Sequence, residues 1–375
     1  MFTLIYVAYF DILIIMKRII LSGGGTLGSV SPLVAIYEEI RLQFPDSEFL
    51  WIGTKNGPEK KMAESYGIPY QFISSGKLRR YFSLRNFFDI FLIVSGFFES
   101  IFLIKRFRPS LVLTAGGFVA VPVAWAAWIS RVPFAIHQQD ARVGLANRLM
   151  APFASLVTAT FEKHKKDFGK KNVVVTGNPF RNELAAGDKE SAVSFFGFLK
   201  DMPVVLVLGG GTGARTINEI ISRDIPDLSA FCQIIHSTGE GKFGKKIQNS
   251  RYRAYEFLYR ESLAQAYAAA NLVVTRGGMS TLTELANLRK PIVIIPIPGS
   301  HQIDNALEFE KRNAAKVFGQ RDLTPENFTK IIRETLRDKN LLQKLSENIS
   351  TMFPKDAARR VVEEIINKLS KLKIS

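Results

Sequence analysis

Two stretches of this chain run from an apolar strand straight into glycines: Leu21-Ser22-Gly23-Gly24-Gly25 near the start and Leu208-Gly209-Gly210-Gly211 past the middle. A strand that ends in glycine can turn tightly and bring backbone N–H groups close to a ligand. The helix expected after the turn adds its positive N-terminal end, so the geometry suits an oxyanion such as phosphate. For the first loop alone, Gly23 to Pro32 (GGGTLGSVSP), a plain strand-to-helix turn is an equal reading, and the spacing is not the dinucleotide fingerprint. Its repetition in GGGTGAR, Gly209 to Arg215, gives the pair weight and implies two similar halves.

The rest of the chain has the same rhythm. Strand-like apolar runs lie at 19–22, 48–53, 110–114, 132–136, 155–160 and 172–175, and after Pro179 again at 203–208, 231–236, 271–275 and 291–295. Helices are expected at 32–43, 119–130, 214–222, 261–270, 279–288 and 302–312. Apolar strands alternating with helices indicate parallel sheets covered on both faces, the doubly wound α/β class. A length of 375 residues suits two such domains. The expected organisation is a first domain at 16–177, a second at 178–353 and a C-terminal helix at 354–375 that packs back on the first domain. Residues 1–15 read as an extension upstream of a start at Met16, with a short membrane-touching anchor as the alternative. Ligands of such sheets bind at the carboxyl ends of the strands, and two facing domains place the active site in the cleft between them.

A net charge of +16 favours an anionic partner. No nucleic-acid-binding signature accompanies it, so nucleic acid ranks below phosphorylated substrates and an anionic membrane surface. The one cysteine, Cys232, excludes an intramolecular disulfide framework and fits a reducing compartment. The four histidines, His137, His164, His236 and His301, show no metal-ligand spacing, so no metal is expected. Lys77, Arg79 and Arg80 precede a very apolar helix at 86–106, whose interior Asp89 and Glu99 argue against a membrane span. A core helix is the plain reading. The favoured one is mixed, one side on the sheet and the other touching lipid.

Further motifs fall at strand ends. Gly116-Gly117 follows 110–114, where a simple turn is the alternative. In TRGGMSTLTE, Thr275 to Glu284, the Glu284 carboxylate can accept two ribose hydroxyls, against the ordinary reading of a solvated helix residue. In PIPGSHQIDNA, Pro296 to Ala306, Gln302, Asp304 and Asn305 suit sugar hydroxyls, or Asp304 and Asn305 cap a helix. In HQQDARVGLAN, His137 to Asn147, His137 and Asp140 are the proton-transfer candidates of the first half, although a lone strand-end histidine is more often structural.

Taken in order, GGGTLGSVSP, AGGFVAVP, HQQDARVGLAN, GNPFR, GGGTGAR, a central Glu256-Phe257, TRGGMSTLTE and HQIDNA resemble the MurG family, the bacterial transferases that add N-acetylglucosamine to lipid I to give lipid II. The resemblance runs from about Lys17 to about residue 355. It implies a GT-B fold, two Rossmann-like domains around a cleft, and an inverting, metal-independent transfer from UDP-N-acetylglucosamine without a cofactor. It implies that Glu284 binds the ribose, that Phe257 and Leu258 bracket the uracil, that Arg181 and Gly210, Gly211, Thr212, Gly213 and Ala214 lie near the diphosphate, and that Gln302, supported by Asn305, reads the sugar. Gly24, Gly25, Thr26, Gly28, Gly116, Gly117 and Asn147 would receive the lipid-linked muramoyl-pentapeptide acceptor and its diphosphate. The implied place is the cytoplasmic face of the cell membrane, held peripherally, with other cell-wall synthesis proteins as partners in peptidoglycan synthesis, cell shape and division. The chain departs from the family pattern where a histidine is usual and Ser29 stands, where a glycine is usual and Leu27 stands, where HEQN reads HQQD, and where a serine gives way to Gly211. Serine is no base at neutral pH, so the expected base is Asp140, oriented by His137. Two alternatives remain: a related GT-B transferase with another acceptor, and a non-catalytic UDP-sugar-binding protein.

Overall fold

The computed structural model describes residues 16–76, 84–169, 171–209, 214–242 and 247–374. The expectations for residues 1–15, for Lys77, Arg79 and Arg80, and for Gly210, Gly211, Thr212 and Gly213 lie outside them. The chain divides into two compact units, Met1–Arg181 with Pro354–Ser375, and Asn182–Phe353.

The first unit runs β1 (Arg18–Ser22), α1 (Ser31–Gln43), β2 (Glu48–Gly53), α2 (Pro58–Ser65), β3 (Tyr70–Phe72), α3 (Leu84–Phe107), β4 (Leu111–Thr114), α4 (Ala120–Ile129), β5 (Phe134–Gln138), α5 (Leu145–Met150), β6 (Leu156–Ala159), α6 (His164–Asp167) and β7 (Val173–Val175). The second runs α7 (Lys189–Phe195), β8 (Val204–Leu208), α8 (Arg215–Ser229), β9 (Gln233–Ser237), β10 (Tyr252–Tyr255), α9 (Arg260–Ala269), β11 (Leu272–Thr275), α10 (Met279–Asn287), β12 (Ile292–Ile294), α11 (Gln302–Glu310), β13 (Lys316–Val317), α12 (Pro325–Arg337) and α13 (Lys339–Ser350). Helix α14 (Ala357–Ile374) follows and belongs to the first unit.

Among the described residues the strand orders are β3-β2-β1-β4-β5-β6-β7 and β10-β9-β8-β11-β12-β13, parallel throughout. Both are the doubly wound, Rossmann-like order, which reverses direction between β1 and β4 and between β8 and β11. Those neighbours pair in register up to their last residues, Ser22 with Thr114 and Leu208 with Thr275. The glycine loops that follow therefore leave the sheet at the same edge.

Alternation along the strands explains the layers. Ile20, Val112, Phe134 and Ile136 enter one core with α4, while Ile19, Leu21, Leu111 and Leu113 enter another with Leu33, Ile36 and Ile40 of α1. Val361, Val362, Ile365 and Leu369 of α14 fill that second core, so the last helix completes the first unit. Strands β3, β10 and β13 were not expected; each is a short edge strand with polar residues. Helix α8 continues through Pro226 to Ser229 rather than stopping near 222, because Ile225 and Leu228 keep its apolar face on the sheet.

All three tryptophans, Trp51, Trp125 and Trp128, lie in the first unit and report its unfolding. Ile365→Ala should lower its stability by about 2–4 kcal/mol, seen as a lower urea midpoint in tryptophan fluorescence. An unchanged midpoint would contradict the place given to α14.

Candidate active site

In the first unit three loops gather at the carboxyl ends of β1, β4 and β5. Gly117 packs on the first glycine loop so closely that a Cβ there would lie 2.7 Å from the Gly24 carbonyl oxygen. Gly25 (φ 80°), Gly116 (φ 97°) and Gly117 (φ 93°) all need the left-handed region that glycine tolerates. Gln139 approaches Gly28, its Nε2 3.6 Å from where a Cβ would stand. Asn147 lies against Gly116 and donates to Gln138 Oε1 at 2.6 Å, while its own Oδ1 is buried without a hydrogen-bond partner. Gln138 Nε2 in turn donates to the Asp140 carbonyl at 2.7 Å, which fixes the half-buried Asp140 loop. Thr26 is exposed at the start of the short turn Leu27–Ser29. The buried Ser29 hydroxyl donates to the carbonyls of Gly24 (3.5 Å) and Thr26 (3.4 Å), a structural use that suits no base.

Two expectations need correction. His137 does not orient Asp140. Its ring is buried, with Nδ1 2.9 Å from Thr158 Oγ1 and Nε2 2.9 Å from Asn178 Oδ1. Burial pushes its pKa down to about 4, against the raising effect of the Asn178 bond, so the ring is neutral and both nitrogens are taken. The Gly25 amide does not await an acceptor phosphate either, because it donates to Glu59 Oε2 at 3.0 Å.

In the second unit β8, β11 and β12 end beside one another, and α8, α10 and α11 begin after them without side-chain caps. By contrast α7, α12 and α13 are capped by Asp188, Thr324 and Asp338. Uncapped N-terminal amides carry positive partial charge and attract anions. Ala214 is buried at the start of α8. Gln302 is held by accepting the Ile297 amide at 3.1 Å, and Asn305 Nδ2 donates to the Gly277 carbonyl at 2.8 Å. Gly277 is obligatory there, since a Cβ would lie 2.5 Å from the Gln302 carbonyl. Phe257 stacks tilted on Tyr259 at 4.7 Å, and Leu258 is buried beside it. Glu284, 4% exposed, accepts the Tyr267 hydroxyl at 2.6 Å. Arg181 belongs to the first unit, its Nη1 3.9 Å from Met62 Sδ.

Three residues escaped the sequence reading. Tyr267 orients Glu284 from α9, seventeen residues earlier. Glu59 holds the first glycine loop. Arg276 is buried between Thr275 and Gly277 and donates to the Ile295 carbonyl at 3.0 Å. An arginine set into a strand-end glycine motif was a signal available in the sequence; the other two pairings are long-range and left none. Among the described residues no three His, Cys, Asp or Glu side chains gather as a metal site needs.

Comparison with known proteins gives this geometry a family. Residues 19–159 match the glycosyltransferase family 28 N-terminal domain, and residues 204–361 match its C-terminal domain. The chain is 36% identical over 360 residues, 95% of its own length and 99% of the relative, to a Bacillus cereus protein named UDP-N-acetylglucosamine--N-acetylmuramyl-(pentapeptide) pyrophosphoryl-undecaprenol N-acetylglucosamine transferase 2. The chain belongs to the MurG family. A Lachnoclostridium phytofermentans transferase of the same name without the numeral is 37% identical, covering 93% of this chain and 99% of its own. The fold matches the crystal structure of Acinetobacter baumannii MurG with a TM-score of 0.68 at 24% identity, over 93% and 99% of the two chains. The expected GT-B class, two Rossmann-like α/β domains, thus holds, and so does the resemblance read from the motifs.

The buried histidines make stability depend on pH. His137 and His236 both have pKa values lowered by burial to about 4. An unfolded histidine takes up a proton below about 6.5, so the unfolded chain binds protons that the folded one refuses until about 4. Their contribution is complete above 6.5 and is lost as pH falls through that window, by at most about 3 kcal/mol each. Urea unfolding should therefore be easier at about pH 5 than at about pH 7.5, and His137→Gln should shrink the difference in the tryptophan-reported transition. An equal difference in the variant would show that His137 is not buried neutral.

Proposed function

We propose that this MurG-family chain transfers N-acetylglucosamine from UDP-N-acetylglucosamine to the 4-hydroxyl of a muramoyl-pentapeptide on undecaprenyl diphosphate, converting lipid I to lipid II. The observation that carries this reading is a glycine-lined switch point in each unit, in a chain that aligns end to end with transferases bearing that name. The second unit takes the donor. Glu284, set by Tyr267, receives the ribose hydroxyls, Phe257 and Leu258 flank the uracil, and Gln302 with Asn305 reads the sugar. The uncapped start of α8 at Ala214 balances the diphosphate charge. The first unit takes the acceptor on Thr26, Gly28, Gly116, Gly117 and Asn147.

The transfer is a single inverting displacement. Asp140 accepts the proton of the 4-hydroxyl as its oxygen bonds to the anomeric carbon, and the bond from that carbon to UDP breaks, the electron pair leaving with the diphosphate. Helix N-termini and backbone amides do for the leaving group what a metal does elsewhere. Radiolabelled UDP-N-acetylglucosamine with a lipid I analogue should give labelled product with and without chelator. Asp140→Asn should cut kcat about a hundredfold or more with little change in donor KM. Unchanged turnover removes Asp140 from the mechanism.

The enzyme works at a membrane surface, peripherally, on the cytoplasmic side. Among the described residues no helix is long and apolar enough to cross a bilayer. On α3, Phe91, Val94, Phe98 (63% exposed) and Phe102 (65%) form one exposed apolar stripe at helical spacing. The opposite side packs inward, with Ser100 buried and Glu99 accepting from the Ser74 amide (2.6 Å) and hydroxyl (2.7 Å). The stripe, with Lys77, Arg79 and Arg80 beside it in sequence, suits anionic lipid. Sedimentation with anionic vesicles should show binding that weakens in Phe98→Ser/Phe102→Ser and in a Lys77, Arg79 and Arg80 to Glu variant. Equal sedimentation of all three proteins would overturn the membrane role.

A further inference from the structure

Glu59 is a carboxylate with no exposure at all, in the first turn of α2, yet its partners are loop groups rather than cations. Its Oε1 accepts the Thr54 amide at 2.8 Å and the Thr54 hydroxyl, and its Oε2 accepts the Gly25 amide at 3.0 Å. Among the described residues no Lys or Arg pairs with it. The chain has made space for it with three glycines: a Cβ on Gly24 or Gly57 would run into the carboxyl group, and one on Gly53 would lie 2.9 Å from its Cγ. Thr54 is fixed in turn, its carbonyl accepting the Tyr70 hydroxyl.

This arrangement has the chemistry of an occupied anion site. A turn rich in glycine directs amides at a negative oxygen, and here that oxygen is the protein's own. The amide turned toward Glu59 is that of Gly25, and Gly24 next to it is the floor against which Gly117 packs and to which Ser29 donates. We propose that Glu59 is a positioning residue for the acceptor: an internal anion that holds the first glycine loop in one shape, so that Gly28, Gly116 and Gly117 rather than Gly25 are left to meet the acceptor's diphosphate. The proposal rests on the reading that the first unit takes the acceptor. It accounts for a buried carboxylate beside a loop that sequence alone assigns to phosphate.

Glu59→Gln tests it with almost no change of volume. A glutamine has one acceptor oxygen, so its NH2 must face either the Thr54 donors or the Gly25 amide, and one hold on the loop is lost. The acceptor KM should rise about tenfold or more, as expected for one charge-assisted hydrogen bond, while the UDP-N-acetylglucosamine KM stays within about twofold. Amide hydrogen exchange in peptides covering residues 22–30 should quicken in the variant. Thr54→Val, which removes one donor and leaves the carboxylate, should shift both readouts the same way by less, and it serves if the glutamine variant fails to fold. Unchanged acceptor KM overturns the proposal. So does a parallel rise in both KM values with a lowered melting point, which marks a merely structural residue. If the wild type transfers nothing to a lipid I analogue, the functional reading fails. The exchange experiment still decides the hold on the loop, and unchanged exchange refutes it.

Discussion

At a point where a parallel sheet reverses its winding, two adjacent strands send their chains to opposite faces and leave a gap at the carboxyl edge. Backbone N–H and C=O groups that line such a gap must find partners, because an unpaired buried one costs free energy comparable to a lost hydrogen bond. This chain meets that demand after β1 and β4 with Gly23 and Gly117, and after β11 with Gly277, each too tightly packed against backbone to carry a side chain. Side chains from other elements also tie these loops: Trp51 of β2 donates to the Gly23 carbonyl. Glu59 of α2 takes the Gly25 amide, and Asn305 of α11 donates to the Gly277 carbonyl. In the first unit the Glu59 bond occupies the Gly25 amide, which the loop then does not offer to a ligand.

The central strands were legible because both faces are buried and the runs are apolar with little interruption, as in VVLVL of β8 and LVVT of β11. The edge strands YQF, YRAY and KV were not, since one buried neighbour imposes too little pattern on two to four residues. Glu284, Gln302, Asn305 and the glycines could be picked out as candidates because each lies in the loop after a strand or in the first two turns of the helix that follows it. Glu59 and Tyr267 could not. One lies in an ordinary helix start and the other in an ordinary helix, and their partners are 34 and 17 residues away. His137 could not be judged from its place beside Asp140 in sequence: it is still part of β5, where its ring nitrogens bond Thr158 of β6 and Asn178, partners 21 and 41 residues away.

The carboxyl edge of the first unit also narrows the choice of proton acceptor by what its polar groups already do. Ser29, at the position where the family usually has a histidine, has its hydroxyl directed at two carbonyls of its own loop. His137 is buried and both its ring nitrogens are engaged, by Thr158 and Asn178. Glu59 is enclosed and accepts three donors, so it has no path to a substrate hydroxyl. Asp140 differs from all three in being half-buried on a loop whose backbone is pinned by Gln138 and which lies next to Gln139, the residue that approaches Gly28. A half-buried carboxylate whose loop backbone is held by Gln138, close in sequence to the residue that approaches Gly28, has the chemistry of a proton acceptor, and the proposed mechanism gives Asp140 the role that a histidine usually fills in the family.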